Sequence, residues 1–324
     1  MQSFMHNWHS LALFYSASTS QKYLYNCYQK KSLSQSETLS YQNCQPFMDY
    51  LEHAHSYYAE SLSAPLSLQP ILQFYGYIQL LKACVLTIDP TYPNSTSLLA
   101  HGVSSRKRKK QHYLFLDDEV KIQKNGLFTH ISGEMFHMKH LEGTKVSMKQ
   151  LVKQIPELHD ELVYFNLPHG TILQSLSPTE YTTSDKLLDS LHITSDRLAQ
   201  YIQDHFGLAL YISEKDDHQL HFLLNHPLTY NNHPFRYNIL TKAHHLIPIK
   251  GNPECLLPEL LVHYLLLYNL SMIARYETEW WLDLTKTKPT IDFPIIRKFL
   301  SISQEKIPFL ISNWLLHEHP TNQF

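Results

Sequence analysis

Apolar residues set the first elements of the chain. Phe47, Tyr50, Leu51, Ala54, Tyr57 and Tyr58 recur at spacings of three and four, which gives a helix with one apolar face rich in phenols. A second helix opens near Pro70, whose fixed φ suits a first turn. It runs through Ile71, Phe74, Tyr75, Ile78 and Leu81 to Val85, and Asp89, Pro90 and Pro93 end it. Gly76 lies inside this helix at a cost of about 1 kcal/mol relative to alanine, which implies a close helix contact there.

Beyond a polar loop, Val120 to Lys124 and Leu127 to Ile131 flank Asn125-Gly126, a dipeptide suited to a tight turn, so a β-hairpin is expected near 120–131. Ser147 with Gln150 forms a capping-box pattern that opens a short helix ending before Pro156, and a later helix runs from about Ser195 to Gly207. From Leu208 to Ile249 the pattern becomes strand-like around Leu210, Leu220 to Leu224, Phe235 to Leu240 and Leu246 to Ile249, which predicts a small antiparallel sheet. Helices return at Pro258 to Tyr276, Phe293 to Ser303 and Ile307 to His317. The expected fold is α+β and mainly α-helical. It has an N-terminal helical region with the hairpin (1–145), a mixed region (146–250) and C-terminal helices (251–324) that fold back on the first region in one helical bundle.

Composition narrows the function classes. Apolar residues make up 43% and charged residues 17% of 324 positions, which is the composition of a folded chain. A formal charge of −2 argues against a surface built as a whole to hold nucleic acid or an anionic membrane, so any such binding is local. Protonating all 22 histidines carries that charge from −2 to +20, which predicts charge-sensitive behaviour below neutral pH. Cys27, Cys44, Cys84 and Cys255 form no Cys-x-x-Cys pair and suit a reducing cytoplasm, and the first twenty residues carry no export signal pattern. Pro258, Glu259, His263, Asn269 and Ser271 interrupt the apolar run Leu256 to Ala274, which reads as a core helix rather than a membrane span.

Three stretches resemble the YaaC family. They are Tyr57-Tyr58 leading to Ile71 through Cys84; Leu99 through Lys110 with Asp118 through Phe128; and His263 through Glu277. The resemblance covers most of the chain and implies that the first and last blocks share one fold. It brings no established catalytic residues. In bacilli the family's genes often neighbour that of IMP dehydrogenase, which implies by association a link to guanine-nucleotide synthesis and IMP dehydrogenase as a protein partner.

Candidate chemistry is sparse. Arg106, Lys107, Arg108, Lys109 and Lys110, with His101-Gly102 before them and His112 after, would hold phosphates by charge; the alternative is a solvated loop balanced by Asp117, Asp118 and Glu119. Arg106 and His112 also have a spacing tolerated in the HEPN superfamily of helical ribonucleases, where histidine would move protons and arginine would stabilise the phosphorane. Arg275 ends the apolar helix beside Tyr276 and Trp280-Trp281; it either holds an anion or pairs with Glu277 or Glu279 while the tryptophans fill the core. Lys82 interrupts an apolar run, with its amine either depressed in pKa at the core margin or snorkelling to solvent. His137 with His140, His244-His245 and His317 with His319 lack complete ligand sets, so no metal site is expected. No Walker loop, Gly-x-Gly-x-x-Gly turn, Gly-x-Ser-x-Gly elbow or His-Glu-x-x-His pair occurs, and no cofactor is expected. These features predict a non-catalytic cytoplasmic interaction or regulatory protein. Two alternatives stand beside it: a HEPN-like RNA-binding or RNA-cleaving protein, and a sensor of a small anion or nucleotide built on Lys82, His101 and Arg275.

Overall fold

The computed structural model describes residues 8–105, 113–215, 218–230, 234–249 and 256–318. The chain forms two units, Met1–Met148 with Leu260–Phe324, and Lys149–Glu259, and the fold is α+β and mainly helical.

The first unit begins with α1 (Ala17–Lys30), α2 (Ser36–Ser63) and α3 (Gln69–Ile88). The Ser16 hydroxyl caps α1 by accepting the Thr19 N–H, and Pro70 sits in the first turn of α3. Among the described residues α3 is the one helix long and apolar enough to cross a membrane, and 72% of its apolar window is buried. An all-round apolar helix enclosed this way is the core element of a folded unit. Gly76 lets α3 close on α2: a Cβ there would lie 2.8 Å from the Tyr58 ring and 2.9 Å from Tyr57 Cβ.

A three-stranded antiparallel sheet follows, built from β1 (Val103–Ser105), β2 (Glu119–Ile122) and, beyond α4 (Leu127–Glu134), β3 (Lys145–Ser147), with β2 in the centre. The expected hairpin near 120–131 is therefore corrected in its second arm, which is helical. Gly126 has φ +131° and ψ 178°, outside the geometry of a tight hairpin turn, and an added Cβ would run into the Gly102 backbone nitrogen. The Leu127 N–H instead donates to the Ala100 carbonyl at 2.8 Å, tying the start of α4 to the loop before β1. Leu127, Phe128 and Ile131 all enter the core from one face of α4, a spacing that serves a helix as well as a strand.

The second unit carries most of α5 (Met148–Val152), then α6 (His159–Tyr164), β4 (Thr171–Ser175), β5 (Glu180–Ser184), α7 (Lys186–Leu191), α8 (Ser195–Phe206), β6 (Leu210–Lys215), β7 (Gln219–Leu224), β8 (Phe235–Asn238) and β9 (Ala243–Leu246). Its six strands form one antiparallel sheet in the order β6-β7-β5-β4-β9-β8. The sheet expected between 208 and 249 is present and larger, since β4 and β5 insert at its middle, and the last strand lies at Ala243–Leu246 rather than Leu246 to Ile249. Leu173, Tyr181, Ile212, Phe222 and Phe235 pack with Leu198 and Ile202 of α8, which ends at the left-handed Gly207.

The chain then re-enters the first unit as α9 (Glu259–Tyr276), α10 (Thr278–Thr287) and α11 (Asp292–Asn313). The Tyr77 hydroxyl donates to the Leu260 carbonyl at 2.6 Å, and the Gln73 amide donates to the Leu300 carbonyl at 3.1 Å, so α9 and α11 both seat on α3. Two helices were expected where α11 is continuous. Pro308 forfeits the bond to the Gln304 carbonyl, but Ile307, Leu310 and Ile311 are fully buried on both sides of it and carry the helix through.

Gly76→Ala gains about 1 kcal/mol of helix propensity and loses about 1–3 kcal/mol to overpacking against Tyr57 and Tyr58. A net fall in the urea midpoint is expected; a midpoint at or above that of the native chain would show that the α2–α3 approach does not need glycine.

Candidate functional site

The site of greatest chemical interest lies in the first unit, where α3, α9 and the loop before β1 meet. Tyr75 and Lys82 are seven residues apart on α3 and so share a face. On α9, Tyr264, Tyr268, Ser271 and Arg275 follow one another at spacings of four, three and four and form one stripe. His101 comes from the connecting loop, where its carbonyl oxygen accepts from the Tyr264 hydroxyl at 2.8 Å and the Phe128 N–H at 3.1 Å. Both partners hold its backbone, and Gly102 next to it takes φ +76°, so the position of the imidazole is set by tertiary contacts.

Phe74 lies edge-on to His101 at 5.1 Å, to Tyr264 at 5.5 Å and to Tyr268 at 5.6 Å. Arg275 is held over the Tyr75 ring at 5.6 Å and the Tyr276 ring at 5.3 Å. It donates through Nη1 to the Tyr75 hydroxyl at 3.0 Å and through Nε to the Ser271 carbonyl at 3.1 Å. The Lys82 ammonium sits 5.4 Å from the centre of the Tyr50 ring. Lys82, His101 and Arg275 are all half-buried.

Burial, then the nearby charges of Arg275 and Lys82, push the His101 pKa down, which places both cations within electrostatic reach of the imidazole. Burial also lowers the pKa of Lys82. Among the described residues no carboxylate is found paired with any of the three. Cations gathered without a counter-charge suit the binding of a multivalent anion, with the guanidinium offering a fork and the ammonium a point charge.

The fates of the other sequence candidates differ. Arg275 does not pair with Glu277 or Glu279; a phenol supplied by a distant helix, a carbonyl one turn earlier and the Met272 sulfur hold it instead. Lys82 is neither free in solvent nor paired. Trp281 is core, 1% exposed, whereas Trp280 is half-buried and edge-on to Tyr113 at 4.6 Å. Arg106, Lys107, Arg108, Lys109, Lys110 and His112 lie outside the described residues. His137 has φ +56° and does not share a helical face with His140. Among the described residues no group of three or more His, Cys, Asp or Glu is arranged to hold a metal ion.

Sequence reasoning took Asp89 only as part of a helix stop and passed over Tyr92 and His130. His130 Nε2 lies 3.2 Å from Asp89 Oδ2, and its ring stacks on Tyr92 at 5.6 Å. Their spacing of 41 residues carries no local signal, because only the docking of α4 near the end of α3 brings them together.

Removing one like charge relieves the imidazole, so Arg275→Gln is expected to raise the His101 pKa toward the ordinary histidine value. Imidazole resonances followed by NMR against pH provide the readout; an unchanged titration would separate the two groups.

The model of the YaaC-like Protein family matches residues 12–315 of the chain. No curated protein and no solved structure matches it.

Proposed function

The chain belongs to the YaaC-like family, and we propose that it is a non-catalytic protein that binds a phosphate-bearing small molecule at Lys82, His101 and Arg275. The observation that carries this reading is the meeting of three cationic or protonatable side chains from three separate elements, with neutral partners alone around them. Such a cluster is electrostatically unfavourable by itself, and an anion relieves it.

Binding fits these groups better than turnover does. The protonatable member, His101, is held by burial and two cations in its neutral form, and no nucleophile or carboxylate accompanies it among the described contacts. In a binding role its neutrality has a use, because an arriving dianion stabilises the imidazolium and draws in a proton as the third positive charge. The free thiols of Cys27, Cys44 and Cys84 are buried, which suits the proposed action in a reducing cytoplasm.

The sign of the pH dependence follows from linkage. The anion raises the His101 pKa from its depressed free value, so affinity rises as pH falls through the bound-state value and levels off below the free-state value. Sulfate is the suitable probe, since it remains a dianion across that range. Calorimetry is expected to show tighter sulfate binding at pH 5.5 than at pH 7.5, a difference flattened in His101→Gln. Lys82→Gln and Arg275→Gln should each weaken binding by about tenfold or more, the worth of a charge-assisted contact. Sulfate affinity unchanged in both variants would refute the reading.

A further inference from the structure

A ladder of flat side chains from three helices leads to the anion site. His53 and Tyr57 of α2 lie with ring centres 4.7 Å apart at an interplanar angle of 33°. Tyr57 stacks on Tyr75 of α3 at 6.3 Å and 28°, an approach that Gly76 permits, since a Cβ there would lie 2.9 Å from Tyr57 Cβ. The Arg275 guanidinium of α9 follows, 5.6 Å from the centre of the Tyr75 ring and 5.3 Å from that of Tyr276. Tyr276 is the last rung. It is 66% exposed, and among the described residues no ring or cation other than Arg275 is in contact with it, so the ladder ends open to solvent.

The rung before it carries donors still to be used. Arg275 donates from Nε to the Ser271 carbonyl, from Nη1 to the Tyr75 hydroxyl and from Nη2 to the Met272 sulfur, one N–H on each nitrogen. The second N–H of each terminal nitrogen is left for a ligand. The Tyr75 hydroxyl accepts from Arg275 at 3.0 Å, and among the described contacts its own proton has no acceptor. The His101 ring stands 6.2 Å from that of Tyr75. Direct contacts thus join the open face of Tyr276, through Arg275 and Tyr75, to the imidazole of the anion site. A phenol ring with a cation on one side and water on the other is a surface on which a planar ring stacks.

We infer that the ligand of this site is a free nucleotide, whose phosphate meets Lys82, His101 and Arg275 and whose base stacks on Tyr276 as the next rung of the ladder. The inference rests on the anion-binding reading above and adds the class of compound that carries the anion. A sugar phosphate uses the cations and leaves the Tyr276 face wet; a nucleoside monophosphate uses both. Stacking reads the face of a base and not its edge, so the site accepts more than one base. A terminal phosphate carries more charge than the diester inside an RNA strand, so the cations favour the free nucleotide over RNA.

Calorimetric titration with AMP, ribose 5-phosphate and the dinucleoside monophosphate ApA tests this on the native chain, Tyr276→Ala and Tyr276→Phe. AMP and ribose 5-phosphate present the same phosphomonoester, so their difference isolates the base. The native chain is expected to bind AMP about tenfold more tightly than ribose 5-phosphate, the worth of one stacked base. Tyr276→Ala should lose most of that margin while binding ribose 5-phosphate unchanged, and Tyr276→Phe, which keeps the ring face, should retain it. No margin in the native chain, a margin that survives in Tyr276→Ala, or one lost equally in Tyr276→Phe overturns the inference and leaves the anion-binding reading standing. ApA, which has only a diester, should bind more weakly than AMP; tighter binding overturns the free nucleotide in favour of RNA. Ribose 5-phosphate that fails to bind the native chain, or binds Lys82→Gln and Arg275→Gln equally well, overturns both readings.

Discussion

Phe74 is the ring on which three segments of the first unit meet. His101, Tyr264 and Tyr268 stand around it at interplanar angles of 62°, 79° and 69°. Edge-to-face contacts are directional, worth about 0.5–1.5 kcal/mol each beyond area burial, so they fix rotation as well as distance. With Tyr264 and Tyr268 turned toward Phe74, the rest of the same α9 stripe must follow. Arg275 then emerges seven residues beyond Tyr268 on the face where Tyr75 offers its hydroxyl. The location of the positive charge is a consequence of apolar packing, and the packing depends in turn on Gly76 admitting the phenol-bearing face of α2.

That arrangement opposes the local electrostatics. Desolvation disfavours the charged forms of Lys82 and His101, and the charges of Lys82 and Arg275 act on His101 in the same direction. A fold selected for stability alone would place a carboxylate among them. The groups that do surround the cations are ring faces, a phenol hydroxyl, a thioether sulfur and a backbone carbonyl, which orient a cation without cancelling its field at longer range. In the anion-binding role proposed above, cations oriented in this way are preorganised for the ligand, paid in stability and recovered on binding.

Much of this architecture is legible in the order of residues, because helices α2, α3 and α9 announce themselves by three-and-four spacing and Gly76 by its position inside an apolar run. The elements that escape do so for physical reasons. β4 and β5 each bury few apolar side chains, Leu173 and Tyr181 among them, and their Thr, Gln and Ser residues fall below any hydrophobic-run signal. Asn125-Gly126 looks like a hairpin turn, yet Gly126 is there because Gly102 lies against it from across the loop. Pro308 looks like a stop until its flanks are known to be buried. Lys82, His101 and Arg275 stand out singly as exceptions to their surroundings, but their mutual approach is set by Phe74 and Tyr264, and the ladder of flat groups from His53 to Tyr276 emerges only once its three helices are in place.

The two units solve the problem of an enclosed arginine in opposite ways, and the contrast assigns each a role. Arg236 in the second unit is 2% exposed; it donates to the Gln154 carbonyl at 2.6 Å, to the Gln154 side-chain oxygen at 3.2 Å and to the Leu257 carbonyl. Burial lowers its pKa to about 10, and the Glu259 and Glu157 carboxylates act against that shift. Breaking such a buried group away from its partners costs about 3–5 kcal/mol, so it serves the fold. Arg275 is half-buried, has only neutral partners and shares its surroundings with two further basic groups. Its field extends to the surface of the unit, where a solute can meet it. A charge enclosed by the groups that hold it serves the chain that carries it, whereas one oriented by neutral groups keeps its demand for a counter-ion, and on that unmet demand the proposed anion-binding role of the α3–α9 seam rests.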